Sequence, residues 1–221
     1  MKKSTALRVL GLIAGGSVAI IPMASPAAAY GETATASATG LRVSVGVLGI
    51  SQSLSTTGLQ TNNRFVTTLL ATPVGLPAYA DALRSEADSS FGYASSASTR
   101  AAHVNVPGVI TATLVTSNAS VQCEYFGPVA SGYSYLTDVT IGSPTRSSSA
   151  TRSSSPVPSI APAPNTTYAL PGGVTLVLNE QSYRGTRMID RAIHVYGPSG
   201  LDVVVGESVA SVDGCGSILH D

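Results

Sequence analysis

The chain has 221 residues, with twelve basic and twelve acidic side chains and a formal net charge of zero. Only 11% of it is charged, it has no Trp, and both lysines, Lys2 and Lys3, lie at the N-terminus. Without its first 29 residues nine Arg face twelve acids, a mildly acidic balance that argues against an electrostatic grip on nucleic acid.

Lys2, Lys3 and Arg8 open a positive segment. An apolar run follows from Val9 to Met23, softened by Gly15, Gly16 and Pro22, and ends in Ser25-Pro26-Ala27-Ala28-Ala29. That order is a secretory signal peptide over residues 1–29, cut after Ala29. The run is too short and too rich in glycine for a membrane span, which needs roughly 20 apolar residues; an uncleaved anchor is the alternative. Export and no membrane attachment after cleavage are the expectation. The mature part, about 190 residues, suits one domain with a real core.

Residues 30–39 are small and polar and predict a flexible leader before a single β-sandwich domain over 40–221. Leu41 to Val47 alternates apolar and polar residues, the period of a half-buried strand. Phe65 to Ala71 is a second β-prone run. Leu76 to Ala87 places Leu76, Tyr79, Ala80 and Leu83 at helical spacing, with Pro77 suited to a first turn, and predicts a helix of one or two turns. Ala101 to Pro107 reads as a strand. Val109 to Ser117 and Ala119 to Phe126 read as a hairpin, or as one strand with a bulge near Asn118. In Tyr133 to Ile141, alternation puts Tyr133, Tyr135, Thr137, Val139 and Ile141 on one face. Ser143 to Pro164 has no aromatic residue and too little apolar area to offset chain entropy, which predicts a disordered Ser/Pro-rich insertion; an O-glycosylated or partner-binding loop is the functional alternative. Val174 to Glu180, Ala192 to Tyr196 and Leu201 to Val205 complete the strands, separated by turn pairs such as Gly172-Gly173. The fold class is all-β, an antiparallel sandwich or barrel-like fold with at most one or two short helices.

Cys123 and Cys215 form an even pair in an exported chain, so one disulfide is expected. It would close a loop of about 90 residues, nominally about 4–5 kcal/mol in the chain-entropy model. No Cys or His stands at zinc-ligand spacing. No serine elbow, zincin, phosphate-loop or EF-hand pattern is present, so neither a catalytic residue, a cofactor nor a metal is expected. His103 and His194 sit in alternating strands and His220 is next to last. Asn179-Glu180-Gln181 is the sharpest polar run. Glu180 with Asp190 or Asp202 is a possible glycosidase-type pair; the favoured reading has all three side chains bonding backbone at the turn after the strand. Arg184, Arg187 and Arg191 crowd one stretch and either hold a carboxylate or sulfate or pair with Glu180, Asp190 or Asp202. Asn118-Ala119-Ser120 and Asn165-Thr166-Thr167 match the N-glycosylation sequon, here read as chance.

The C-terminal half carries a pattern: Asn165-Thr166-Thr167, Leu170-Pro171-Gly172-Gly173-Val174, Val177-Leu178-Asn179-Glu180-Gln181, Ala192-Ile193-His194-Val195, Asp202-Val203-Val204-Val205-Gly206 and Cys215-Gly216. With Gly40-Leu41-Arg42-Val43-Ser44-Val45 it resembles the choice-of-anchor P family, secreted or surface proteins of high-GC Gram-positive bacteria. The resemblance implies an extracellular β-rich domain and no known activity. The sequence shows no sorting motif, apolar tail or lipidated cysteine, which favours free secretion or non-covalent wall association. The expected role is structural or interaction-type at the cell surface, with a cell-wall or surface component as partner; a wall-polysaccharide hydrolase using Glu180 and a ligand-binding module using the three arginines are the alternatives.

Overall fold

The computed structural model describes residues 33–73, 75–142 and 157–215. The expected signal segment, most of the Ser/Pro-rich stretch and His220 lie outside them. The described residues form two antiparallel sheets packed face to face, an all-β sandwich. Three short 3-10 turns are the sole helical elements among them.

The first sheet is built from the two ends of the chain. Its order is β10 (Thr166–Leu170), β11 (Val174–Arg184), β12 (Arg187–Gly197), β13 (Leu201–Asp213), β1 (Thr33–Val45) and β2 (Ile50–Thr56), with the two-residue β3 (Gln60–Thr61) also on β1. The second sheet is a meander in chain order: β4 (Arg64–Leu69), β5 (Ala82–Phe91), β6 (Ala94–Val106), β7 (Ile110–Glu124), β8 (Gly127–Ile141) and β9 (Val157–Ile160). The main core lies between the sheets around Leu41, Val104, Ile110, Leu136, Leu176, Ile193 and Val205. A smaller core joins Ala34, Val121, Met188 and Val212 to the Cys123–Cys215 disulfide, whose Cα atoms are 5.2 Å apart.

Four expectations are corrected. Residues 33–39 are strand, with Ala34, Ala36 and Ala38 buried against the second sheet; their small side chains suit a close approach of the two layers. The stretch expected as helix is not helical: Tyr79 bridges Asn105, and β5 buries Leu83, Ser85, Ala87 and Ser89 with a period of two. Residues 157–160, within the expected disordered insertion, form edge strand β9 on β8, where backbone bonding and the packing of Ile160 suffice. β7 runs without a register shift at Asn118 against both neighbours.

Strict alternation also fails in β8, for a reason that recurs. Ser134 and Leu136 are buried, Tyr133 and Tyr135 are exposed, and the next buried residue is Val139. Asp138 between them has φ +50°. A left-handed residue turns the chain so that its two neighbours face opposite sides. His103 in β6 does the same at φ +48°: Ala97 and Ala101 are buried before it, Val104 and Val106 after it. In the first sheet the register lines up Asn165, Asn179, Ala192, Gly206, Gly40 and Ser55 in one transverse row. Asn165, Asn179, Gly206 and Ser55 of that row have positive φ. Every long strand of the sheet therefore switches its buried face along one crease. β1 passes from Ala38 to Leu41, and β12 from Ala192 to Ile193.

Gly206 is the tightest point of this crease. A Cβ there would stand 2.8 Å from Thr99 Oγ1 of the opposite sheet, at φ +71°. Gly206→Ala is expected to cost about 1–3 kcal/mol in denaturant unfolding. Gly108→Ala, at φ +74° with open space around it, should cost about 1 kcal/mol or less. Equal losses would show that contact across the sheets does not constrain the crease.

Candidate functional site

Asn179, Glu180 and Gln181 lie inside β11, not at its end, since the strand continues to Arg184. Asn179 is buried and left-handed. Its Nδ2 donates to the Pro162 carbonyl at 2.7 Å, and its Oδ1 accepts from Gln181 Nε2 at 2.8 Å. Gln181 Nε2 also donates across the sandwich to the Gly132 carbonyl at 2.8 Å. Two of the three side chains thus bond backbone as expected. Glu180 does not; it faces outward and bonds side chains.

Glu180 belongs to a closed ring of six charged or titratable groups on the outer face of the first sheet. Its carboxylate accepts from His194 Nδ1 at 2.6 Å and from Arg191 Nη1 at 3.2 Å. Arg191 Nε donates to Glu207 Oε2 at 2.6 Å. Arg42 Nη1 donates to Glu207 Oε1 at 3.3 Å, and Arg42 Nη2 lies 3.8 Å from Asp202 Oδ1. The ring closes where Asp202 Oδ1 lies 3.8 Å from His194 Nε2. Acid and base alternate around it, each acid flanked by two basic groups. The hydrogen bond from His194, with the nearby charge of Arg191, holds the Glu180 carboxyl below the usual range against the opposing effect of burial. Burial alone would lower the Arg191 guanidinium, but its hydrogen bonds to and the charges of Glu207 and Glu180 hold it above its ordinary value. Sequence reasoning found Glu180, Arg191 and Asp202 but missed Arg42 and Glu207 and read His194 as an ordinary strand residue.

Asp190 sits elsewhere, fully buried between the sheets beside the register partner Gln181. Its Oδ2 accepts from the Ser134 hydroxyl at 2.8 Å and from the Asn118 backbone N–H at 3.3 Å. Ser117 donates to the Asp190 backbone carbonyl at 3.0 Å and lies 2.9 Å from the Ser208 hydroxyl. This polar layer separates the two cores. Burial pushes the Asp190 carboxyl up, opposed by its hydroxyl and amide donors. Glu180 and Asp190 are register-adjacent on opposite faces, so they cannot flank one bond.

The three arginines do converge. Arg184, Arg187 and Arg191 line a shallow depression of about 300 Å³ with Glu180, Ser182 and Ile189. Arg191 is tied to its two acids, whereas Arg184 and Arg187 are cross-strand partners with no ion pair among the described residues. The described residues hold no cluster of three His, Cys, Asp or Glu fit for a metal. His103, exposed on the face of β6, lies 2.9 Å from Asp81, apart from the ring.

The two acids give opposite pH signatures. Glu180, depressed in the fold, contributes stability that is present above the ordinary carboxylate range and lost as pH falls through its lowered pKa. Asp190, raised in the fold, lowers stability as pH climbs from the ordinary aspartate range through its raised pKa. Glu180→Gln should flatten the acid limb of the stability profile and cost about 1 kcal/mol at pH 7. Asp190→Asn should gain stability relative to the native protein at neutral pH, with the gain vanishing in acid. Chemical denaturation of the three proteins from pH 3 to pH 8 checks both signs.

No family model, curated protein or solved structure matches the chain.

Proposed function

We propose that the chain is a secreted extracellular β-domain of structural or interaction type at a bacterial cell surface, without catalytic activity. The observation that carries this reading is the closed ring. A glycosidase needs two carboxylates flanking a sugar, one of them protonated, about 5–10 Å apart across open space. Here His194 stands between Glu180 and Asp202. Glu180, held below the usual range, is unsuited to donate a proton. Asp190 is sealed in the core. The export-type N-terminus, the Cys123–Cys215 disulfide and the resemblance to the choice-of-anchor P family support an extracellular site of action. The partner is a wall or surface component, and none of the residues argues for nucleic acid.

A ligand-binding reading is the second, favoured by the shared depression of Arg184, Arg187 and Arg191. Like charges opposed across a strand pair cost stability, and a carboxylate or sulfate between Arg184 and Arg187 would relieve this with bidentate bonds. Incubation with wall polysaccharide should release no reducing ends. Turnover by the native protein, lost in a Glu180→Gln variant of unchanged melting temperature, would establish the hydrolase instead. Retention on native cell surfaces that falls in Arg184→Ser would favour the arginine depression as the contact.

A further inference from the structure

The disulfide end of the sandwich carries aromatic side chains that no core uses. Phe126 is 96% exposed, Tyr125 72%, Phe91 60% and Tyr93 47%. They stand on the tips of two neighbouring hairpins, β5–β6 and β7–β8, joined where Cys123 N–H donates to the Tyr93 carbonyl at 2.8 Å. Within each tip the rings touch: Tyr125 and Phe126 edge to face at 5.0 Å, Phe91 and Tyr93 tilted at 5.9 Å. A third hairpin, β11–β12, reaches the same end. Tyr183, half exposed, donates to the Pro128 carbonyl at 3.4 Å, and Arg184 and Arg187 follow it. The disulfide fastens this end of the first sheet to the second.

We propose that these tips dock the protein peripherally on a lipid bilayer. The inference rests on the extracellular interaction reading and names a partner for it. It departs from the expectation of no membrane attachment after cleavage, which considered spanning segments and covalent or lipid anchors. Clustered exposed apolar side chains mark partner or membrane sites. The tips are convex, so they suit a soft medium that needs no matching pocket. Phe126 and Tyr125 form the β7–β8 turn, and Phe91 ends β5 beside Tyr93 of the β5–β6 turn; mixed Phe and Tyr rings of this kind fit the bilayer interface, where rings are apolar and hydroxyls reach water. Gly92, Ala94, Gly127, Pro128 and Val129 flank the rings in the chain and add no charge to the tips. Arg184 and Arg187, at the β11–β12 turn of the same end, lack ion pairs among the described residues and suit headgroup phosphates. Glu124 and Asp213 lie at the same end and balance them, so the rings, not net charge, supply the attraction.

The test is co-sedimentation of the mature protein with vesicles of phosphatidylcholine, alone and mixed with phosphatidylglycerol. The native protein should partition onto both and stay bound in high salt. Phe91→Ser with Phe126→Ser should lower partitioning about tenfold or more at unchanged melting temperature. Leu48→Ser, exposed at the opposite end, should change nothing. No binding of native protein to either vesicle, or equal binding of the tip variant, overturns the proposal. So does tip-dependent retention on insoluble wall glycan without vesicle binding. Failure of the non-catalytic reading would show as glycan turnover, which vesicle binding does not register.

Discussion

The structure depends on the pairing of its first long strand with its last. β1 and β13 run antiparallel with register partners from Thr33–Asp213 to Val45–Leu201. All of the second sheet lies between them in sequence, as a meander whose strands each pair with a chain neighbour. The meander therefore needs only local loop closures, while the first sheet exists only when the chain's two ends meet. Long-range pairing of this kind bears its entropic cost before contacts offset it, and slows folding. The Cys123–Cys215 bond acts on the same weak point. It ties the residue just past β13 to the end of β7, and so confines the C-terminal strand near its place in the unfolded ensemble.

Given that pairing, the crease sets the interior. On one side small residues, Ala34, Ala36, Ala38, Ala119 and Ala210, bring the layers together; on the other side Leu41, Leu176, Leu178, Ile193 and Val205 fill the main core. Asp190, Ser117, Ser134, Ser208 and Gln181 occupy the transition. A buried carboxylate is costly unless its donors are in place. Its hydroxyl and backbone donors come from β7 and β8, so the layer fixes how the sheets register on each other. Polar specificity of this kind is weak as a source of stability, consistent with the raised Asp190 carboxyl.

The all-β class and most strands were legible because alternation survives within each half-strand. Leu41 to Val47 and Leu201 to Val205 reported true elements, though each was cut short where the crease breaks the rhythm; β1 begins at Thr33 and β13 runs to Asp213. The Leu76 to Ala87 segment misled because Ala80 and Leu83, three apart, are both buried, a spacing that a loop entering a strand can share with a helix, while Tyr79 of the same expected face is exposed. Edge strand β9 could not be read from composition, because its backbone bonds to β8 do not depend on apolar side chains. At the site, Glu180, Arg184, Arg187 and Arg191 were visible as a dense charged stretch. Arg42 lies 165 positions from its partner Glu207, a distance no local pattern bridges.

The ring itself is a product of the crease. In a regular strand, outward residues recur at every second position, so Arg191 and His194, three apart, would face opposite sides. The same holds for Thr39 and Arg42 on β1, and for Val204 and Glu207 on β13. The crease row between them, left-handed at Gly206 on β13 but not at Ala192 on β12 or Gly40 on β1, reverses the alternation, and residues three apart share the outer face. That brings His194 from one side of the crease to Glu180 on the other, and Arg42 to Glu207. The acids and bases meet because the backbone turns there, and the backbone turns where Asn165, Asn179, Gly206 and Ser55 accept positive φ. Asn and Gly suit that conformation best. Asn179 and Gly206 thus place their neighbours Glu180 and Glu207, although neither carries a charge. The polar run Asn179-Glu180-Gln181 is, in the fold, one backbone hinge, one ring acid and one brace across the sandwich.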